Sequence, residues 1–350
     1  MQFTRRHLVL KPMTRTSIAR TTLARTLLVC GSLMILLALA LIAAAVAGSQ
    51  RLPLGASLCA LTGSTNCALS GEEQAILFGI RLPRIALAGS VGMCLAAAGA
   101  AYQALLRNPL AEPYLLGVSN GAAVGTMAAL VFFTSYEWSR PVMAFAGAVA
   151  ATFVVYRLAR GRTGATPERL ILAGVIVTTF LSSAIVFITT VMDATRIRSF
   201  TFWLLGDLSG TTGNLLTVAF VTAIIGAGVL TLNARSLNLM MLGERDAFDL
   251  GVEVARVRVI VFAAASLLVG ASVASSGSVG YVGLVVPHLV RLSFGSDNRL
   301  VIPAAAIGGA IFVIIADTLA RTIIAPRELP VGAITALIGA PLFVYLLKRA

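Results

Sequence analysis

Charged and otherwise reactive side chains are scarce in this sequence, and most of them fall into short polar segments. Only 12% of the 350 residues are charged, and two are histidines. Three segments carry charges close together: RLPR at 81–84, RNPLAEPYLLG at 107–117 and LGERDAFDLGVEVARVR at 242–258. Such groups can form ion pairs with a partner, but ion pairing by itself breaks no covalent bond.

No residue combination typical of a catalytic or metal site occurs in the sequence. The phosphate-binding pattern G-x-x-x-x-G-K-[ST] and the zinc pattern H-E-x-x-H are both absent. His7 and His288 stand alone, and there is no C-x-x-C pair. We therefore expect no enzymatic activity, no cofactor and no metal centre in this chain.

The four cysteines fall into two groups. Cys30 and Cys94 lie inside apolar runs, where cysteine usually serves as a small packing residue. Cys59 and Cys67 flank the polar segment 61–66. In an oxidising compartment they could form a disulfide, and otherwise they would be free thiols.

The composition indicates a protein dissolved in lipid. Hydrophobic residues make up 58% of the chain and the mean hydropathy is +0.93, whereas soluble proteins average roughly 45–50% apolar and about 25% charged residues. The formal net charge is +13. In a membrane protein this excess is typical of cytoplasmic loops, so we expect no nucleic-acid partner.

About ten apolar runs predict transmembrane helices, and the fold class is therefore an all-α polytopic membrane protein. The runs are interrupted by Gly and Ala, which favours helices packed closely in lipid. Their approximate bounds are 26–48, 82–106, 114–135, 141–159, 168–191, 213–232, 257–275, 280–294, 301–324 and 331–347. The region 270–294 is rich in Gly and Ser and could break or re-enter the membrane.

The first apolar run is longer than the roughly 7–15 residues of an export signal and matches the ~20 that span a bilayer. We expect an uncleaved first helix. The chain then divides into a basic cytoplasmic tail, 1–25, and a transmembrane domain, 26–350.

The distribution of positive charge predicts the orientation. With both termini in the cytoplasm, 19 of the 27 Lys and Arg residues lie on the inner side, as the positive-inside rule requires. An inverted internal repeat is also predicted, because Gly92, Ala96, Gly99 and Pro109 recur at an offset of 178.

Each of the three polar segments has two interpretations. The segment 107–117 contains two prolines four residues apart and is either an ordinary loop or a stiff functional connection. The longest inner loop, 233–258, is either a solvated surface helix or a docking site for a soluble partner. Arg81, Arg84 and Arg321 are predicted outside, where they either anchor helices at the membrane surface or form an exposed basic patch. Asp317 lies one turn before Arg321, which favours a structural ion pair.

From about residue 30 onward the sequence resembles the permease family of type II ABC importers for cobalamin, ferric siderophores and haem. The resemblance is carried by many segments in the same order. They are RLPR (81–84), NPLAEPYLLGVSNGA (108–122), RLILAGV (169–175), LGERDAFDLGV (242–252), GYVGLVVPHLVR (280–291), ADTLAR (316–321) and ELPVGAITALIGAPLF (328–343).

This resemblance implies ten helices in each subunit of a homodimer in the inner membrane, surrounded by membrane lipid. It also implies two cytoplasmic ABC ATPase subunits, a periplasmic solute-binding protein and a metal chelate as the ligand in transit. Transport would then be powered by the ATPase.

The resemblance further implies roles for individual residues. Asn108 and Leu110 correspond to one cytoplasmic gate, and Thr166 and Pro167 lie at a second one, whose usual pair of small hydroxyl residues is not kept. Arg81, Arg84 and Arg321 correspond to residues that dock the binding protein. The segment that couples to the ATPase comprises Gly243, Glu244, Arg245, Asp246, Ala247, Phe248, Asp249, Leu250 and Gly251.

Two other classes remain open from the residues. A secondary transporter or channel would work without an ATPase, and a membrane-embedded enzyme would need a polar cluster at one depth. The choice among cobalamin, siderophore and haem is also open.

Overall fold

The structure, a computed structural model, describes residues 22–48, 50, 52–61, 67, 69–133, 138–161 and 164–349. Most of the predicted tail, residues 1–21, lies outside this part of the chain. The protein is an all-α, multi-pass membrane protein, as predicted.

The elements follow one another in this order. They are α1 Leu23–Val46, α2 Leu54–Leu61, α3 Gly71–Gln74, a π-helical turn Ala75–Arg81, α4 Leu82–Leu105, a 3-10 turn Pro113–Leu116, α5 Val118–Phe132, α6 Ser139–Ala159, β1 Arg160–Gly161, β2 Gly164–Ala165, α7 Pro167–Val191, α8 Ala194–Leu204, α9 Gly213–Leu232, α10 Ala234–Leu242, α11 Glu244–Asp249, α12 Val254–Ser276, α13 Val282–Phe294, α14 Asn298–Thr322 and α15 Val331–Arg349. The strands β1 and β2 form a short antiparallel hairpin before α7.

In the part of the chain that the structure describes, an apolar helix overlaps each of the ten predicted runs. Within the described residues, seven are long and apolar enough to cross a membrane, namely α1, the helix Gly71–Leu105, α6, α7, α9, α12 and α14. Three shorter apolar helices, at Val118–Phe132, Val282–Phe294 and Val331–Leu346, occupy the other predicted runs. The orientation of the termini stays a prediction.

The second span begins earlier than predicted. A capping box at Ser70 and Glu73 starts the helix, which continues without a break into α4. Pro83 has no N–H to donate to the preceding turn, and the π-helical turn directly before α4 is the kind of local adjustment that accompanies such a lost bond. RLPR therefore lies inside a long helix and not at its start.

The helix α4 forms the centre of the molecule. Most of its side chains are buried, whereas α1, α7 and α9 are largely exposed to the surroundings. It packs most extensively against α14, where the backbones approach at Gly92 and Gly309. A Cβ at Gly92 would lie 2.1 Å from the carbonyl oxygen of Gly309, so this crossing requires glycine.

Two helical paths are interrupted, and the interruptions contact each other. The chain is not α-helical between α4 and α5, or over 277–281 between α12 and α13. The second interruption lies in the Gly/Ser-rich region 270–294, where the sequence allowed a break. The hydroxyl of Tyr114 bonds both the carbonyl and the amide of Val279, each at 3.0 Å. Buried contacts of this kind satisfy backbone groups that lipid could not.

The predicted inverted repeat stays a prediction. Gly99 and Gly277, which the repeat matches to each other, differ in local structure. Gly99 lies within α4, whereas Gly277 follows the end of α12 with φ 69°.

Candidate functional site

The predicted site residues form two clusters at opposite ends of α4. Arg84 lies in its first turn and Arg107 lies just beyond its end. A helix of 24 residues is roughly 36 Å long. We call the cluster with the predicted docking arginines the outer cluster and the one with the predicted coupling and gate residues the inner cluster, after the sides of the membrane on which they are predicted to lie.

The outer cluster is centred on the buried carboxylate of Asp317. Its Oδ1 accepts a hydrogen bond from Nε of Arg84 at 2.9 Å, and its Oδ2 accepts one from Nε of Arg321 at 3.0 Å. The guanidinium of Arg84 also donates to Glu328 at 2.6 Å. The ion pair predicted between Asp317 and Arg321 is present, and it is shared with a second helix.

The third arginine of this cluster, Arg81, is held by backbone carbonyls. Its guanidinium donates to Ala45 and Val46 at the C-terminal end of α1, at 3.0 Å each, and also to Gln50. A cation is favourable at this position because the last carbonyls of a helix lack intrahelical partners.

The expectation of an exposed basic patch is wrong for the chain alone. Arg81, Arg84 and Arg321 are only 4%, 7% and 5% exposed. Burial is tolerated because carboxylates and helix-terminal carbonyls satisfy the guanidinium groups. The three side chains do line one cavity of about 300 Å³, together with the carboxylate of Glu328, which is 46% exposed.

The predicted coupling segment forms a short separate helix, α11. Gly243, with φ 146°, separates it from α10, and Gly251, with φ 85°, follows it. Ala247 is buried, whereas Phe248 and Leu250 are 70% and 60% exposed. The helix thus rests on one small residue and presents apolar side chains outward.

Ion pairs connect α11 to its neighbours. The Glu244 carboxylate pairs with the buried guanidinium of Arg258 in α12 and lies 3.9 Å from that of Arg107. Arg258 also donates to the carbonyl oxygen of Ala165. One carboxylate therefore joins the end of α4, the start of α12 and, through Arg258, the β2 strand.

The predicted gate residues lie next to these contacts. Asn108 makes a side-chain turn by accepting from the amide of Leu110 at 2.9 Å, which leaves Leu110 exposed. Thr166 caps α7 by accepting from the amide of Arg169 at 3.5 Å, and Pro167 occupies the first helical turn.

The loop before α5 also carries a half-buried carboxylate, Glu112. It accepts a hydrogen bond from the amide of Tyr281, at the N-terminus of α13, at 3.3 Å. Burial raises the pKa of Glu112 above its ordinary value, and this hydrogen bond partly opposes the rise.

The sequence did not identify Arg258 or the residues Asn238, Arg291 and Asn298 as site residues. Asn298 is fully buried, bonds Asn238 of α10 and accepts from Arg291 at 3.0 Å. Arg258 is the last residue of the polar segment 242–258, and the only sequence signal that set it apart was its place between Val257 and Val259.

The predicted outer segment contains a disulfide. Cys59 and Cys67 are bonded, with their Cα atoms 5.6 Å apart. Of the two interpretations of these cysteines, the structure therefore has the disulfide.

Comparisons with known proteins identify the family. The model of the FecCD transport family matches residues 35–349. The cobalamin import system permease protein BtuC of Halobacterium salinarum is 42% identical over 301 residues, which are 86% of this chain and 80% of that protein. The hemin transport system permease protein HmuU of Yersinia pestis is 41% identical over 283 residues, 78% of this chain and 83% of that protein.

A solved structure has the same fold over nearly the whole chain. It is an inward-facing metal-chelate type ABC transporter, with a TM-score of 0.82 and 29% identity, covering 92% of this chain and 99% of that chain. The family model covers most of the sequence. The chain therefore belongs to the FecCD transport family and is a multi-pass protein of the inner membrane.

Proposed function

We propose that this chain is the permease subunit of an ATP-driven, binding-protein-dependent importer that carries metal chelates across the inner membrane as a homodimer. An ATPase pair on the cytoplasmic side supplies the energy, and a soluble binding protein delivers the ligand outside. The chain itself performs no bond chemistry.

The observation that carries this proposal is the geometry of α11. A six-residue helix that carries exposed Phe248, and is followed directly by exposed Leu250, lies outside the apolar spans. Isolated apolar side chains on a surface are ordinary, but here they stand together on a helix flanked by glycine turns. This is the form expected of an element that inserts into a soluble partner.

The positions of the predicted gate residues in the structure support their assignment as gates. Asn108 and Leu110 follow Arg107, and Thr166 and Pro167 follow Ala165, so both predicted gate segments adjoin contacts of the α11 region. Movement of α11 would displace both segments together.

The ligand class follows from the relatives. Cobalamin and hemin are named for the two permeases described above, and both are large metal chelates. The proposed substrate is therefore a metal-bound organic chelate, with cyanocobalamin, haemin and a ferric siderophore as the compounds to test.

Reconstituted vesicles test the proposal. Vesicles containing the permease, its ATPase and its binding protein are expected to accumulate one of the three chelates only when ATP is present. Vesicles with the permease alone serve as the control. Accumulation against a gradient without nucleotide would instead support a secondary transporter, the main alternative.

A further inference from the structure

We infer that Glu244 and Arg258 are positioning residues that transmit movement of α11 to both predicted gate segments. The inference rests on the proposed function, because it assigns the path by which the ATPase would operate the gates. It goes beyond the docking role of α11, which concerns only the surface that the partner contacts.

Glu244 is placed so that it moves with α11. It is the first residue of α11, directly after Gly243, so any displacement of α11 moves its carboxylate. Gly243 has φ 146° and lacks a side chain, which leaves this junction free to bend relative to α10.

Arg258 makes two contacts along the proposed path. This guanidinium is 5% exposed, pairs with Glu244 and donates to the carbonyl of Ala165. Removing one partner of an ion pair that contains a buried charge is costly, because the other charge stays buried without compensation. Arg258 should therefore follow Glu244 and not release it, and its other contact lies directly before Thr166.

Arg107 connects Glu244 to the other predicted gate segment. The guanidinium of Arg107 lies 3.9 Å from the same Glu244 carboxylate. Arg107 has φ 51°, a backbone conformation uncommon for a residue other than glycine. Because Arg107 directly precedes Asn108, a displacement of its guanidinium with Glu244 would act beside the predicted gate.

The chain offers a matched control on the same helix. Arg256 pairs with Glu253 at 3.6 Å, but both side chains are 72% exposed. Exposed pairs contribute little to stability. Arg256→Gln therefore removes an arginine two positions away without breaking the contacts of Arg258.

The experiment uses the assembled permease–ATPase complex and a thiol at the first gate. Leu110→Cys places the probe, and Cys30→Ser removes the reactive background, because Cys94 is buried and Cys59 and Cys67 are bonded to each other. The quantity measured is the rate of labelling by a maleimide, with and without a non-hydrolysable ATP analogue. ATP hydrolysis is measured on the same complex.

The expected result is a nucleotide-dependent labelling rate in the reference complex and in Arg256→Gln. This dependence should be lost in Glu244→Gln and in Arg258→Gln while ATP hydrolysis continues. Loss of a residue that only stabilises the fold would instead reduce the nucleotide-dependent labelling and the ATP hydrolysis together. If Arg258→Gln does not assemble, Glu244→Gln decides the question, since its side chain is about one-third exposed and glutamine has the same shape.

A complex with Glu244→Gln that keeps the full nucleotide response would overturn the inference. That outcome leaves the proposed function intact, because ATP-dependent uptake in vesicles is measured separately. Conversely, a permease that accumulates chelate without ATP would refute the proposed function whatever the labelling shows.

Discussion

The Nε atom of Arg84 lies 2.9 Å from Oδ1 of Asp317, although the two residues are 233 positions apart in the chain. The pair joins α4, the central helix, to α14, against which α4 packs most extensively. Both side chains are buried, so the contact is a fixed connection between the two helices and not a surface ion pair.

This relationship predicts a large loss of stability for Asp317→Asn. The variant leaves Arg84 and Arg321 buried against a neutral amide, and breaking a buried pair costs about 3–5 kcal/mol. Thermal unfolding of the purified permease in detergent measures the change.

The control for this variant is Asp193→Asn. Asp193 pairs with Arg196 at 3.0 Å, but both side chains are about half exposed, and asparagine can still cap α8. We expect a change of less than about 1 kcal/mol. Equal unfolding temperatures for the two variants would contradict a structural role for Asp317.

The sequence predicted the helices well and their polar connections poorly. The run predicted at 213–232 matches α9 to the residue, because lipid demands a continuous apolar stretch that composition alone reveals. The pairing of Arg84 with Asp317, and of Arg258 with Glu244, depends on tertiary packing. A single sequence shows that these charges exist but not which of them meet.

The burial of Arg81 illustrates the same limit. The sequence left two interpretations of Arg81 open, a helix anchor at the membrane surface or part of an exposed basic patch. In the structure its guanidinium instead donates to the carbonyls of Ala45 and Val46 at the end of α1. Those acceptors are 35 and 36 residues earlier in the chain, so local spacing gave no indication of them. The family resemblance supplied the docking role, which stays a proposal.

A second prediction concerns Glu328 and the docking of the binding protein. The outer cluster contains the three arginines and the carboxylates of Asp317 and Glu328, which leaves a formal charge of +1. Glu328→Gln raises this charge to +2 and removes a carboxylate that competes for Arg84. We expect affinity for an acidic binding protein to rise about two- to fivefold at low salt, because exposed pairs contribute less than about 1 kcal/mol.

Affinity of the binding protein for the reconstituted complex, measured at two salt concentrations, checks this prediction. Glu72→Gln, an exposed glutamate near the same end of the long helix, is the control. An unchanged, salt-independent affinity in Glu328→Gln would argue against docking at this cavity.

A third prediction concerns the pH dependence of stability at Glu112. Because burial raises its pKa in the folded protein, the folded chain binds this proton more tightly than the unfolded chain does. Its contribution to stability should therefore decrease as pH rises from the ordinary glutamate value through the raised folded value. Glu112→Gln keeps an acceptor for the amide of Tyr281 and removes this dependence.

Thermal unfolding across that pH window measures the difference between the variant and the unaltered protein. Glu112→Gln should be the more stable of the two at the upper end of the window and nearly equal to it at the lower end. A pH dependence that is the same with and without Glu112 would show that its carboxyl does not titrate in this way.

The last prediction concerns the apolar surface of α11. Phe248 is 70% exposed in the chain alone and stands beside exposed Leu250. Burying a large apolar side chain in a partner is worth about 1.5–3 kcal/mol, so Phe248→Ala should weaken binding of the ATPase about tenfold or more.

Co-purification and a binding titration between the permease and its ATPase measure the change. Phe220→Ala, an equally large and half-exposed residue on α9, should leave ATPase binding unchanged because α9 is a membrane span. A similar loss in both variants would place the defect in folding, and no loss in Phe248→Ala would remove α11 from the interface.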